Sequence, residues 1–130
     1  MAHRPIRREH RTTRRALRAQ LRRRAAGTRL ASSCRRRPRS ITTVALAAGV
    51  EKDTAAGIAS GLRSVAKRIG LAPAQTARTR RTVNGGRARK TRSVFRYTLA
   101  QVRQLLAAYK PRKAAFVDAA ARIAAFATAA

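Results

Sequence analysis

The sequence predicts a mainly α-helical fold with one small β-hairpin. Apolar residues recur at helical spacing in segments 52–69 and 98–110, and two β-prone runs flank a Gly-rich turn between these segments. The first 39 residues instead hold fifteen arginines and one acid. We therefore expect a basic arm over residues 1–39, a folded domain over 40–110 and an alanine-rich C-terminal helix over 111–130.

Charge dominates the composition. The 130 residues include 32 Lys and Arg against 4 Asp and Glu, for a formal net charge of +28. Such self-repulsion has to be offset by an anionic partner, and the planar guanidinium of arginine suits phosphate. We expect nucleic acid, with double-stranded DNA first, and no small-molecule substrate. No stretch approaches the roughly 20 apolar residues that span a bilayer, so we expect no membrane partner and a cytoplasmic location, associated with the nucleoid if the source is bacterial.

The arm is a like-charge block of the kind that is usually disordered until it meets its partner. Thr12 or Thr13 could cap a helix over residues 14–26, with Gly27 as its end. We expect the arm either to be disordered, or to be helical on binding or against the domain. Its candidate phosphate contacts are Arg14, Arg15, Arg22, Arg23, Arg35, Arg36 and Arg37.

Two helices open the predicted domain. Ser40 or Thr42 can cap a short helix to Ala48, and Gly49 permits a tight turn before a second helix from about Lys52 to Ile69. The predicted buried stripe of this second helix is Ile58, Leu62, Val65 and Ile69, and the predicted basic side is Lys52, Ala56, Ala59, Arg63 and Lys67. Gly57 and Gly61 weaken the helix unless they permit close packing or close approach to DNA.

The hairpin is predicted within residues 78–98, with strands over 79–83 and 93–98. Its long loop would contain Arg87, Arg89, Lys90 and Arg92. Thr98 with Gln101 forms a capping-box pattern for a helix that ends before Pro111. A last helix over residues 112–128 could fold back or pair with a second copy, which makes a homodimer plausible. The expected core aromatics are Phe95, Tyr97 and Tyr109.

The segment from Val44 to Leu71 resembles a helix-turn-helix of the winged type. The matching residues are Ala45, Gly49-Val50, Thr54, Ile58, Leu62 and Gly70-Leu71, and residues 80–86 and 93–98 resemble the two wing strands. The resemblance extends over residues 40–110. It implies a recognition helix that contacts DNA through Lys52, Thr54, Ser60, Arg63 and Lys67, and a wing that contacts phosphate through Arg87, Arg89, Lys90 and Arg92.

These features predict a DNA-binding protein, either a transcriptional regulator or an accessory factor in replication or partition. A non-specific DNA-coating protein and an RNA-binding, ribosome-associated protein are the alternatives. We expect no enzyme, cofactor or metal, because His3 and His10 lie in the arm and the acids show no paired spacing. Cys34 is the sole cysteine; the surrounding arginines could lower its pKa, as in a redox sensor, but we interpret it as an incidental thiol.

Overall fold

The computed structural model describes the backbone of residues 3–129 and the side chains of residues 6–129. Within this range the predicted class, mainly helical with a small antiparallel hairpin, is confirmed. None of the described helices combines the length and apolar character needed to cross a membrane. The elements in chain order are α1 His3–Arg36, α2 Ile41–Ala47, α3 Lys52–Ile69, β1 Gln75–Val83, β2 Ala88–Arg96, α4 Leu99–Ala108 and α5 Ala114–Thr128.

The arm is one continuous helix. The predicted end at Gly27 is wrong, because Gly27 does not take the positive φ of a helix terminus and Thr28 Oγ1 donates to the Arg24 carbonyl oxygen at 3.0 Å, as it does inside a helix. The flanking alanines and leucines favour the helix on both sides of this glycine. With 34 residues, α1 is about 50 Å long.

Most of α1 lies outside the core. Leu17 and Leu21 are 54% and 63% exposed, whereas Cys34 near the C-terminal end is 3% exposed and belongs to the core. Burial raises the pKa of the Cys34 thiol, and the Arg39 guanidinium offsets only part of this increase. The alternative of a lowered pKa for Cys34 is therefore wrong, because desolvation outweighs the nearby positive charge.

The turn between α2 and α3 follows local rules. The side chain of Ser40 caps α2 by accepting from the Thr43 N–H at 3.3 Å. Gly49 has φ of +87°, and Gly70 ends α3 with φ of +69°. The predicted bounds of α3 are confirmed.

The core surrounds α3. Ile58 and Leu62 are fully buried, together with Ala59, which was predicted to be exposed. Ile69, predicted to be buried, is 44% exposed. The prediction for Ala59 is wrong because α2, α4 and α5 all pack on the middle of α3, where alanine admits close neighbours and most sides of the helix are buried. The prediction for Ile69 is wrong because this residue lies in the last turn of α3, at the edge of that packing.

Two glycines of α3 make this packing possible. A Cβ at Gly57 would lie 2.8 Å from Cζ of Phe116, and one at Gly61 would lie 3.1 Å from the Tyr109 hydroxyl oxygen. The close-packing interpretation of both glycines is confirmed. Because α5 folds back and buries Ile123, its apolar side lies in the chain's own core, and the homodimer stays a prediction.

The hairpin is longer, and its turn shorter, than the sequence predicts. The pairing runs from Gln75–Arg96 to Val83–Ala88, and Asn84–Gly86 close it with positive φ at all three residues. The predicted long loop is wrong, because only the four residues 84–87 separate the strands, so the alternating residues on both sides pair directly. Arg89, Lys90 and Arg92 therefore lie in β2, and Arg87 lies at the turn.

A short β-bridge connects the segment before α2 to the base of the hairpin. The backbone N–H of Arg39 donates to the Tyr97 carbonyl oxygen at 3.1 Å, and the N–H of Tyr97 donates back at 2.9 Å. The predicted capping box of Thr98 and Gln101 then starts α4. We call the elements that share this one core the body. The body extends beyond residues 40–110, since Cys34 and Ile123 both contribute to its core.

Candidate nucleic-acid interface

The hairpin has two faces of different character. Successive side chains of a strand point to opposite sides, so the register defines which residues share a face. We call one of them the Phe95 face; its cations are Arg78, Arg80 and Arg89, all exposed. Each of these arginines lies opposite a hydroxyl residue, namely Ser93, Thr91 and Thr82. The Phe95 face therefore alternates cations with hydroxyl groups, both of which bind phosphate oxygen.

The other face carries Arg81, Lys90, Arg92 and Arg96. Arg81 and Lys90 lie directly opposite each other, a like-charge pair that is unfavourable without a counter-ion. Arg96 is partly buried, and the other three are exposed. The hairpin thus presents three exposed strand cations on each face, which allows the two faces to be compared by mutation.

A cleft joins α3 to the Phe95 face. It has a volume of about 360 Å³, and its lining includes Arg63 and Lys67 from α3 and Phe95 and Tyr97 from the end of the hairpin. Because Phe95 shares its face with the three arginines, the exposed side of α3 and this hairpin face are contiguous. Cations from two elements that are distant in sequence therefore border one surface.

The exposed side of α3 combines cations with small side chains. Ala56, Ser60, Arg63 and Lys67 follow one another at spacings of four, three and four, and Lys52 lies one turn earlier. Lys52, Ser60 and Lys67 are exposed, and Arg63 is half-buried. Four of the five residues predicted for the recognition helix thus lie on one side.

Thr54 is the exception among the predicted recognition-helix residues. It lines a separate cavity with Glu51, Asp118 and Arg122, so it faces α5 rather than the cleft. The two residues are separated because the helical period puts positions 54 and 63 on opposite sides of α3. The structure does not bring Thr54 together with the other predicted contacts.

Arg63 is held in place at the cleft. Its Nη2 donates to Oγ1 of Thr42 at 3.3 Å, and its charge lies near the phenol of Tyr97. Burial raises the pKa of Tyr97, and the Arg63 guanidinium offsets part of that increase. Tyr97 is 3% exposed, so its predicted core position is confirmed, as is the partly buried position of Tyr109 against the core. Phe95 is 46% exposed, so its predicted core position is wrong.

Of the predicted wing contacts, Arg89 shares the face that adjoins Arg63 and Lys67. Lys90 and Arg92 lie on the other face, and Arg87 lies at the turn. Sequence reasoning missed Arg78 and Arg80. The available signal was the alternation of arginine and threonine over residues 78–80, but the predicted strand starts at residue 79 and its pairing partner lies in the predicted loop.

The arm arginines divide according to the helical period of α1. One side carries an arginine stripe, defined here as Arg11, Arg15, Arg18, Arg22 and Arg29, at spacings of four, three, four and seven. The predicted contacts Arg15 and Arg22 lie in this stripe, Arg14 and Arg36 lie close to its edges, and Arg23 lies on another side.

Two further predicted arm contacts have partners within the chain. The Arg35 guanidinium lies 5.4 Å from the centre of the Phe126 ring, in cation–π geometry. Nε of Arg37 donates to Oγ of Ser33 at 3.2 Å. Both arginines remain exposed, so these contacts orient their side chains without burying the charge.

The remaining side-chain chemistry is sparse. In the part of the chain that the structure describes, no three His, Cys, Asp or Glu side chains are grouped to hold a metal ion. No protein-family model, curated protein or solved structure matches the chain, so the basic surface is interpreted from its own residues.

Proposed function

We propose that this protein binds double-stranded DNA through one continuous surface, made of the exposed side of α3 and the Phe95 face of the hairpin. The observation that carries the proposal is the cleft at which Arg63 and Lys67 of α3 meet Phe95 of β2. A helix that fits the major groove and a hairpin that follows the adjacent backbone would then act together. The +28 net charge supplies the long-range attraction.

A winged helix-turn-helix is the architecture that we propose for this surface. The order α2, turn, α3, hairpin supports it, as does the Arg39–Tyr97 bridge, which adds a short extended segment before α2 to the base of the hairpin. In this arrangement α3 is the recognition helix and the hairpin is the wing. The arginine stripe of α1 extends the cationic surface beyond the body.

Phosphate contacts, rather than base contacts, dominate the proposed interaction. The middle of the exposed side of α3 presents Ala56 and Ser60, whose side chains are too short to read several base edges. Sequence preference is therefore expected to be weak, which favours a DNA-coating role over a regulator with a single operator. A ratio of specific to random binding near one at physiological salt would agree with this role.

The experiment compares two double variants that lose the same charge. Arg63→Ala/Lys67→Ala changes the proposed surface, and Arg103→Ala/Arg112→Ala removes two exposed arginines elsewhere. Binding to a fluorescent duplex is titrated at several salt concentrations, with thermal melts to verify folding. In the first variant, two lost phosphate contacts lower the slope of log affinity against log salt concentration by about 2. The second variant keeps the slope of the parent protein. Equal slopes for both variants would overturn the proposed surface.

A further inference from the structure

An exposed aromatic ring beside two cations is the least explained feature of the cleft. Phe95 is 46% exposed, whereas Tyr97, two residues later on the same face, is 3% exposed. Of these two rings, only that of Tyr97 belongs to the core. Phe95 instead lines a cavity whose other walls include Arg63 and Lys67.

The cleft has the size and lining of a small-ligand site. Its volume of about 360 Å³ lies at the lower end of the roughly 300–1,000 Å³ typical of such sites. Ala66, Leu71 and Pro73 contribute an apolar wall next to the ring of Phe95. A cleft of this size can hold one planar group.

The two cations match a phosphate beside that planar group. Arg63 uses one hydrogen bond to Thr42 among the described residues, whereas a guanidinium has five N–H donors. Lys67 is exposed one turn further along α3. Both charges therefore border the cleft, where they complement an anion attached to the stacked ring.

We propose that the cleft between α3 and β2 binds one unpaired nucleotide, with the base against Phe95 and its phosphate at Arg63 and Lys67. This inference rests on the proposed DNA-binding function and adds a preference to it. Bases inside an intact duplex present only their edges to the grooves, and Phe95 lines a cleft, so a base has to leave the helix to stack on Phe95 there. DNA with a bulged nucleotide is then the preferred ligand.

The experiment uses three DNAs with the same base pairs: a perfect duplex, the duplex with one bulged adenosine, and the duplex with an abasic bulge. Base–aromatic stacking corresponds to about 5- to 150-fold in affinity. The full-length protein is expected to bind the adenosine bulge tighter than the abasic bulge by a factor in this range. Fluorescence anisotropy measures the three affinities.

The variants separate stacking from folding and charge. Phe95→Ala is expected to remove the preference for the adenosine bulge over the abasic bulge, whatever its affinity for the perfect duplex. Phe95→Trp is expected to keep the preference, because it retains a stacking surface, and Val94→Ala on the other face is the control.

The outcomes distinguish the inference from the function on which it rests. Equal affinity of the parent protein for all three DNAs overturns the nucleotide site and leaves duplex binding intact. No binding to any of them in dilute buffer overturns the proposed function itself. Preference for the adenosine bulge that persists in Phe95→Ala also overturns the site.

Discussion

Replacing Arg78, Arg80 and Arg89 together by alanine removes the strand cations of the Phe95 face. All three are exposed, and each lies opposite a hydroxyl residue rather than a packed side chain. The hairpin should therefore keep its pairing, and the loss should appear in DNA binding. The matched control replaces Arg81, Lys90 and Arg92, three exposed cations of the other face.

The magnitude follows from counterion release. Each phosphate that the protein neutralises contributes about 0.9 to the slope of log affinity against log salt for duplex DNA. If three contacts are lost, the slope decreases by about 2.7. Over a rise from 50 to 200 mM salt, this slope difference corresponds to about 40-fold in affinity. The parent protein should lose that much more affinity than the Phe95-face variant over the same range.

Anisotropy titrations at four or five salt concentrations measure both slopes with one labelled duplex. The control variant has the same net charge as the Phe95-face variant, so a purely non-specific attraction would affect both equally. Coincident slopes for the two triple variants would refute the reasoning, because the hairpin would then act as a diffuse charge with no preferred face. Circular dichroism verifies that both variants retain the parent fold.

Four further predictions concern stability and the arm. Gly57→Ala should lower the free energy of unfolding by about 0.5–2 kcal/mol, because crowding against Phe116 costs roughly 1–3 kcal/mol and the alanine recovers only about 0.5–1 kcal/mol of helix propensity. Gly27→Ala, whose Cβ meets no atom within 4 Å, should instead increase the helix content measured at 222 nm. The free energy of unfolding should fall as the pH rises above about 10, because burial raises the pKa of Tyr97 and the folded state then binds more protons than the unfolded state. In denaturant titrations over this pH range, the free energy of unfolding of Tyr97→Phe should decline less than that of the parent protein. Deletion of residues 1–29 should keep the melting temperature of the body and lower the salt slope, since eleven arginines leave with a largely exposed segment.

Each of these predictions has its own contrary result. An unchanged signal at 222 nm in Gly27→Ala would mean that α1 gains no helix from the substitution. Gly57→Ala with unchanged stability would mean that the Phe116 ring moves aside without loss. An equal decline with pH in Tyr97→Phe would assign the titration to other groups, such as Cys34 and Tyr109, whose pKa values burial also raises. A collapse of the melting transition on deletion would show that the arm stabilises the body.

The sequence alone determined the features that depend on residues within one helical turn. The caps at Ser40 and Thr98 and the glycines at positions 49 and 70 each act through neighbouring backbone groups, so the bounds of α3 and the start of α4 were predictable. The excess of arginine, and with it the expectation of a polyanionic partner, also follows from composition.

Only the tertiary structure decided which side chains share a surface. The burial of Ala59 depends on three helices packing around α3, and alanine periodicity does not specify how many neighbours a helix has. Strand register is a long-range property, so the alignment of Arg78 and Arg80 with Arg89, and the exposure of Phe95 at the cleft, could not be derived from local pattern.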